Sequence, residues 1–496
     1  TDPDVTVPDT DEIDEAVRVP GTTFPPELDP LENDGGGRGR EVGYYESLFR
    51  VDKTGTVQPQ LVDDWEIASD EVTWTFTLRD DVTFHNGDPL TADAVEFSLD
   101  RAFTNDRSRL QELPVEDVSA AGEHTVTITT TEPFASLPAQ LSRSTAAIIS
   151  PDSMADGEFD QPISTGPFAF ESWDPESEIV LTRNEEYYGT VPSIERAVYE
   201  RIDQPETELR SLQAGEVSLA TDLPNSATEE LESDADTDLY KTEGGSERII
   251  VFNTDEPPLD ERVVRQAVLT GIDRDALLET ALDGVGSTAT TAWDPDIVSW
   301  ANEDLESDTY DPSEAQSLLE EAGWEANSDG VRTRDGEELG FELWAYTERP
   351  NLPDIAEALQ AQLGEIGFEI SVRVTEWATL DEAKNQGEYD AFVGNWSMFG
   401  IPPDPDVLSN FYHPDDNIID SPYEKQEVTD LLEDGRQTFD DDDRKAIYDE
   451  IQELTMRDAS VGFLARETNI HGASAALEGY DPDPNSFELG LEEFSI

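Results

Sequence analysis

Residues 72–84 (VTWTFTLRDDVTF) set Val72, Trp74, Phe76 and Leu78 against Thr73, Thr75 and Thr77, and this period of two predicts a strand with one buried face. A helix is predicted next. Thr91 is a fitting N-cap, Asp93 stands where the helix dipole favours an anion, and Val95, Leu99 and Ala102 make one apolar stripe. Further strands are expected at 124–129, 177–182, 197–202 and 247–253. Beyond Asp255 helices alternate with strands. Val264, Val268, Ile272 and Leu277 fall near helical spacing over 260–282. Over 310–324 both helix ends are signalled, by Asp311 as cap, Pro312 and Glu314 in the first turn, Leu318, Leu319 and Ala322 as stripe, and Gly323 as stop. A helix over 352–366 ends at Gly367 and hands over to Phe368, Ile370, Val372 and Val374 on one face of a strand, an α/β unit. A strand at 390–396 and a helix at 444–457 repeat the theme, and the last thirty residues read as loop and short strand.

Composition changes this picture in three ways. The 496 residues hold 115 Asp plus Glu against 30 Lys plus Arg, a net charge of -85, which excludes nucleic acid and anionic membrane as general partners. Disorder is not the reading, because the 9 Trp, 20 Phe and 13 Tyr sit inside periodic segments. Only Lys53, Lys241, Lys384, Lys425 and Lys445 are lysines, and the acids run evenly from Asp2 to Glu493. That pattern predicts a halophilic protein, for which salt near 1 M shortens the screening length to roughly 3 Å. There is no cysteine, hence no disulfide or thiolate site, and no apolar run reaches the roughly 18 residues of a membrane span. The opening through Val17 reads as a solvated stalk between an anchor and a folded body. Length allows two to four units of about 100–200 residues, and no internal repeat is visible.

Enzyme signatures are absent: no GxSxG, HExxH, phosphate loop or EF-hand ladder occurs. Gly35, Gly36, Gly37 and Gly39 lack the strand-GxGxxG-helix context of a nucleotide site. His85, His124, His413 and His471 are scattered and read as structural or surface residues. Among 115 acids no carboxylate pair can be nominated for acid–base work, and 440–443 read as a solvated helix entry. Asn395-Trp396-Ser397 matches a glycosylation acceptor but falls in an apolar strand, so it is read as unmodified.

A series of segments carries a resemblance. It comprises YESLF at 45–49, VQPQLVDDW at 57–65, TWTFTLRDDVTFHNGDPLTADAVEFSLDR at 73–101, PISTGPF at 162–168, Arg183-Asn184 with Tyr187, Tyr188 and Gly189, and LQAGEV at 212–217. The second half adds Phe252-Asn253-Thr254, Val264-Arg265-Gln266-Ala267, Ile272-Asp273-Arg274 and YDPSEAQSLLEEAGW at 310–324. In this order they resemble the family 5 extracellular solute-binding proteins, the peptide and nickel class that delivers ligands to ABC importers. The resemblance implies an α/β, two-lobed periplasmic-binding-protein-like fold with a ligand cleft and hinge closure. Residues 1–45, 163–252 and 468–496 would form the base of lobe I, with 1–17 as stalk, 46–162 an extra subdomain, and 253–467 lobe II. Crossovers are expected near Asn253 and Glu467. It implies further a non-catalytic, extracellular monomer without cofactor or metal, whose partners are a small molecule or peptide and a membrane permease.

The ligand residues are less determined. Peptide-binding members carry an Asp for the ligand's amino group three residues before an acidic-Pro pair. Here the matching position is Ile401, so Asp404 or Asp406 would have to substitute, against a plain turn or helix-start role. Arg143 falls where nickel-binding members resemble one another in gripping a chelator carboxylate, and Arg38 and Arg40 precede the Tyr45 motif at a spacing that points to the cleft. Pairing with nearby acids is the other reading for each. Tyr412 and His413 resemble the region that supplies a histidine to bound nickel, and Trp396, Phe399 and Trp293 are candidate pocket walls or core. The leading expectation is a receptor for a peptide-like ligand. A receptor for a nickel or metal chelate is the alternative, and a secreted carboxylate-dependent hydrolase is the rival of another class.

Overall fold

Trp74, Phe76 and Leu78 are buried in the strand Thr73–Leu78, as their alternation requires. The computed structural model describes residues 16–21, 24–32, 35–105, 108–293, 298–305, 309–349, 351–397, 404–416, 419, 421–483 and 488–496. Thr73–Leu78 lies in a four-stranded antiparallel sheet, in the order Val62–Ile67, Thr73–Leu78, Thr125–Thr130, Val115–Gly122. The helix Ala92–Thr104 covers it, capped by Thr91 Oγ1, which accepts the Ala94 N–H at 3.4 Å. These elements enclose a core of their own with Phe49, Leu110 and Leu141.

A second core belongs to a four-stranded sheet in which Val17–Gly21 runs parallel to Arg196–Arg201, followed by Glu178–Arg183 and Phe168–Asp174 antiparallel. Tyr480, Leu489, Leu491 and Phe494 close this core, so segments far apart in the chain share one apolar interior.

Two long antiparallel strands, Thr237–Phe252 and Val461–Ser474, join that base to the rest. Their first stretch pairs from Thr237↔Ser474 to Glu243↔Thr468, and their second from Glu247↔Arg466 to Val251↔Val461. Between the two, residues 244–246 stand opposite Glu467 alone, a bulge that bends and twists the ribbon. On the base side, Leu219–Leu223 extends the sheet. On the other side Ala391–Ser397 pairs with 246–252, and Gly340–Tyr346 and Glu369–Thr375 add two parallel strands. The largest core surrounds this second half. Asn253 lies at its far end, where its side-chain amide donates to the Tyr389 carbonyl at 2.7 Å.

The helix expected over 260–282 is two, Arg262–Thr270 and Arg274–Ala281, because Gly271 ends the first and the Asp273 carboxylate caps the second by accepting from Ala276 at 2.9 Å. Pro312–Glu321 begins as predicted, with Asp311 accepting from Ser313 and Glu314 at 3.0 and 2.9 Å. The helix expected at 444–457 is Asp441–Asp458, and the four-aspartate run is its cap and first turn, where carboxylates meet the helix's free N–H groups. Two buried arginines serve backbone carbonyls. Arg265 donates to the carbonyls of Leu259 and Asp458 at 2.7 and 2.6 Å, and Arg332 to those of Ile366 and Trp324 at 2.9 Å each. They thereby satisfy carbonyls that helix ends and loops leave without partners.

Candidate functional site

In open α/β sheets ligands bind beyond the carboxyl ends of the strands. Here those ends, at Tyr346, Thr375 and Ser397, lie on the side of the bulge, since Ser397 pairs with Ser246. The Tyr346 hydroxyl accepts the Asn395 N–H at 3.2 Å. Arg248 donates to the Asn395 side-chain oxygen and pairs with Glu467 at 3.1 Å across the bulge. Arg248 is only 4% exposed. Trp377, 39% exposed, sets its ring edge-on to Tyr346 with centroids 4.9 Å apart, and its backbone N–H donates to the Glu348 carboxylate at 2.9 Å. Arg349 is exposed beside them and forms no ion pair among the described residues. Burial raises the Tyr346 phenol's pKa, while the Asn395 N–H and the charges of Arg349 and Arg248 act against it. This edge therefore gathers guanidinium groups, a phenol and an indole, a set suited to a ligand carboxylate on an apolar body. Sequence reasoning missed Arg248, Tyr346, Arg349 and Trp377. The available signal was the apolar run FELWAY, whose end marks a strand terminus.

The residues singled out from sequence fall into three places. Arg38 and Arg40 lie in the short helix Gly35–Glu41 of the base. Arg38 donates to the Tyr199 hydroxyl at 3.3 Å and pairs with Glu41, and Arg40 donates to the Ser142 carbonyl at 2.9 Å. Arg143 follows directly and donates to the Gln140 side chain at 2.5 Å. The helix packs close to this segment: a Cβ on Gly36 would stand 2.7 Å from the Ser144 carbonyl oxygen, so the glycine run serves close approach. Trp293 is buried near the bulge. Its carbonyl accepts from Thr291 Oγ1 at 2.8 Å, and the Thr291 carbonyl accepts from Arg466 at 3.1 Å.

The third place is the second half. Trp396 is half-buried, edge-on to Phe411 at 5.1 Å. Tyr412 is buried against Tyr423 with centroids 5.7 Å apart, and burial raises its phenol's pKa. His413 is buried with Nδ1 3.2 Å from Asp416. Phe399 and Ile401 lie outside the described residues. Asp404 is held by Arg444 through both oxygens, at 2.9 and 3.0 Å, and by the Ser136 hydroxyl at 2.8 Å. Asp406 accepts from Arg436 at 2.7 Å and from Ser409 at 2.8 Å, and burial raises its pKa against the pull of Arg436. Below Tyr412 a cavity of about 20 Å³, lined in part by Thr455, Gln452 and Phe463, has room for one water.

The motif residues turn out to knit the fold. Glu46 is 3% exposed and accepts from Gln60 at 3.0 Å, Thr165 at 2.7 Å, Tyr187 at 2.8 Å and Tyr188 at 2.9 Å. Nearby, burial and Glu492 push the Glu488 carboxyl up to about 7, against Arg40 and Arg50. A raised carboxyl contributes stability that is full below its ordinary value of 4.5 and is lost as pH rises through about 7. Glu488→Gln is therefore expected to remove part of the fall in melting temperature between those pH values; an unchanged slope would contradict this placement.

Among the described residues no helix is long and apolar enough to cross a membrane, and no group of three acidic or histidine side chains is placed to hold a metal ion. The family model for bacterial extracellular solute-binding proteins, family 5, matches residues 56–418. A probable di/tripeptide-binding protein of Pseudomonas aeruginosa is 28% identical over 477 residues, covering 89% of this chain and 87% of that protein. The nickel-binding periplasmic protein of Escherichia coli is 28% identical over 431 residues, covering 82% and 80%. Among solved structures, NikA from Brucella suis in complex with Fe(III)-EDTA superposes with a TM-score of 0.87 at 25% identity, over 97% of this chain and all of that one. The nickel ABC transporter structure from Bacillus halodurans gives 0.84 at 24%, with the same coverage. These likenesses establish the two-lobed α/β binding-protein fold expected from the motifs, and the chain belongs to the bacterial extracellular solute-binding proteins of family 5.

Proposed function

We propose that the chain is the substrate-binding receptor of an ABC importer and captures a small polar, carboxylate-bearing ligand of the peptide class between its lobes. The observation that carries this reading is the strand-end edge beside the bulge, where Arg248, Arg349, Tyr346 and Trp377 lie together in a chain with a net charge of -85. In this reading 1–45, 163–252 and 468–496 form the base of lobe I, with 1–17 as stalk, 46–162 its subdomain and 253–467 lobe II, while 247–252 run on past the bulge to pair within the sheet of lobe II. The bulge at 244–246 and Glu467 is then the hinge. Arg143, Arg38 and Arg40 would face the ligand from lobe I. The receptor would work outside the cell as an anchored monomer in high salt and hand its cargo to a permease.

The test is a melting curve in multimolar salt with a dipeptide pool and, separately, with nickel(II)–histidine. A rise with dipeptides, together with compaction in small-angle scattering, supports the reading. A rise with nickel(II)–histidine alone favours the chelate alternative, for which His413 beside Asp416 is the relevant observation. No response to either would overturn the receptor reading. Arg349→Ala is expected to weaken a bound free-acid dipeptide about 10- to 100-fold, the loss of a charge-assisted hydrogen bond of about 1.5–3 kcal/mol. Its unfolding midpoint should stay within error, because the side chain is exposed. Equal affinity of the variant would reject Arg349 as an anchor.

A further inference from the structure

Away from the bulge, the two halves touch at a second place. Phe439 sits between the helices Gln426–Gln437 and Asp441–Asp458, whose Val428, Leu432 and Tyr448 belong to the largest core. Phe439 itself packs against the other core, with its ring centroid 5.8 Å from that of Trp74. Beside it the Ala135 N–H donates to the Arg436 carbonyl at 2.7 Å. Ser136, wholly buried, donates to Asp404 at 2.8 Å and accepts from Arg444 at 2.7 Å.

The chemistry is divided in a particular way. Every charged partner lies in the second half: Arg444 with Asp404, and Arg436 with Asp406 and Asp416. Among the described residues no ion pair crosses the seam: a backbone hydrogen bond, the bonds of the uncharged Ser136 hydroxyl to the Asp404–Arg444 pair and one aromatic ring do. Parting the halves would therefore leave no uncompensated ion, and would cost only contacts that water can largely replace.

We propose that this seam is a latch, which resists hinge opening and holds the lobes together before any ligand arrives. The proposal rests on the two-lobed receptor reading, but it concerns the ligand-free protein. It also gives Asp404 a role: the residue fixes Arg444 beneath Ser136 and so prepares the surface on which the subdomain closes.

The test is small-angle scattering of the ligand-free full chain in multimolar salt, for the wild type, Ser136→Ala and Phe439→Ala. Each variant should shift the closed-to-open ratio about five- to tenfold or more toward open, by analogy with one lost hydroxyl hydrogen bond or aromatic contact. The radius of gyration should rise, most for Phe439→Ala, with unchanged far-ultraviolet circular dichroism. Phe439→Leu serves as the gentler substitution if alanine impairs folding. An unchanged radius in folded variants overturns the latch, whether the wild type is compact or extended. Because no ligand is used, that result would leave the receptor reading standing, whereas failure of every ligand to bind would leave the scattering result standing.

Discussion

Arg444→Ala should lower the free energy of unfolding by about 3–5 kcal/mol, the range for removing one partner of a buried ion pair. Arg444 is 5% exposed and Asp404 7%, and the guanidinium meets both carboxylate oxygens. Burial alone would lower the pKa of Arg444, but the charge of Asp404 outweighs it and the net direction is upward. Without the arginine, Asp404 keeps, among the described residues, only the Ser136 hydroxyl and the Asp406 N–H as donors, too few for an ion removed from water. The cation also lies 5.5 Å from the ring centroids of both Trp300 and Tyr448, so packing is lost with the charge. Urea unfolding followed by tryptophan fluorescence measures the loss. The double variant Arg444→Met, Asp404→Leu should recover most of it, because no charge is then stranded. A loss below about 1 kcal/mol for Arg444→Ala would contradict the buried pair.

Glu46→Ala should be comparably severe, at about 3–5 kcal/mol, because four donors lose their acceptor at once and each unsatisfied group costs about 1–3 kcal/mol before relaxation. Burial pushes the Glu46 carboxyl up from its ordinary 4.5, and Thr165, Tyr187, Tyr188 and Gln60 pull it back only in part. The direction fixes the sign: this group's contribution is full below pH 4.5 and is lost as pH rises through its raised folded value. Glu46→Gln should cost less than alanine and remove that pH dependence, since the amide oxygen still accepts while no charge is buried. Melting temperature against pH for the three proteins is the measurement. Parallel curves for wild type and Glu46→Gln would show that Glu46 does not titrate in the folded protein as described.

Local signals made much of the fold legible. Thr73–Leu78 alternates cleanly, and Thr91 and Asp311 cap helices with their own side chains. The expected strands at 124–129, 177–182, 197–202 and 390–396 are present within a residue or so of their predicted bounds. Gly340–Tyr346 was not anticipated, because Phe341, Leu343, Trp344, Ala345 and Tyr346 are all buried and the strand shows no alternation. Only 247–253 of the strand Thr237–Phe252 stood out, and Val461–Ser474 not at all, since each depends on a partner more than 200 residues away. The site was legible in residue type but not in pairing. Asp404 was noticed as an acid near a cleft, yet its partners Ser136 and Arg444 lie 268 and 40 positions away.

The shared ribbon of Thr237–Phe252 and Val461–Ser474 also bears on how the protein is made. The core around Thr73–Leu78 draws almost all its members from residues 31–163 and can close while synthesis continues. The base cannot, for Leu219–Leu223 and 237–243 find their neighbour only when Val461–Ser474 has been synthesised. A nascent chain therefore carries one finished unit and an open sheet for most of its elongation, and such long-range pairing folds slowly. Truncation before residue 461 should yield a folded subdomain attached to an unfinished base, rather than a smaller working protein.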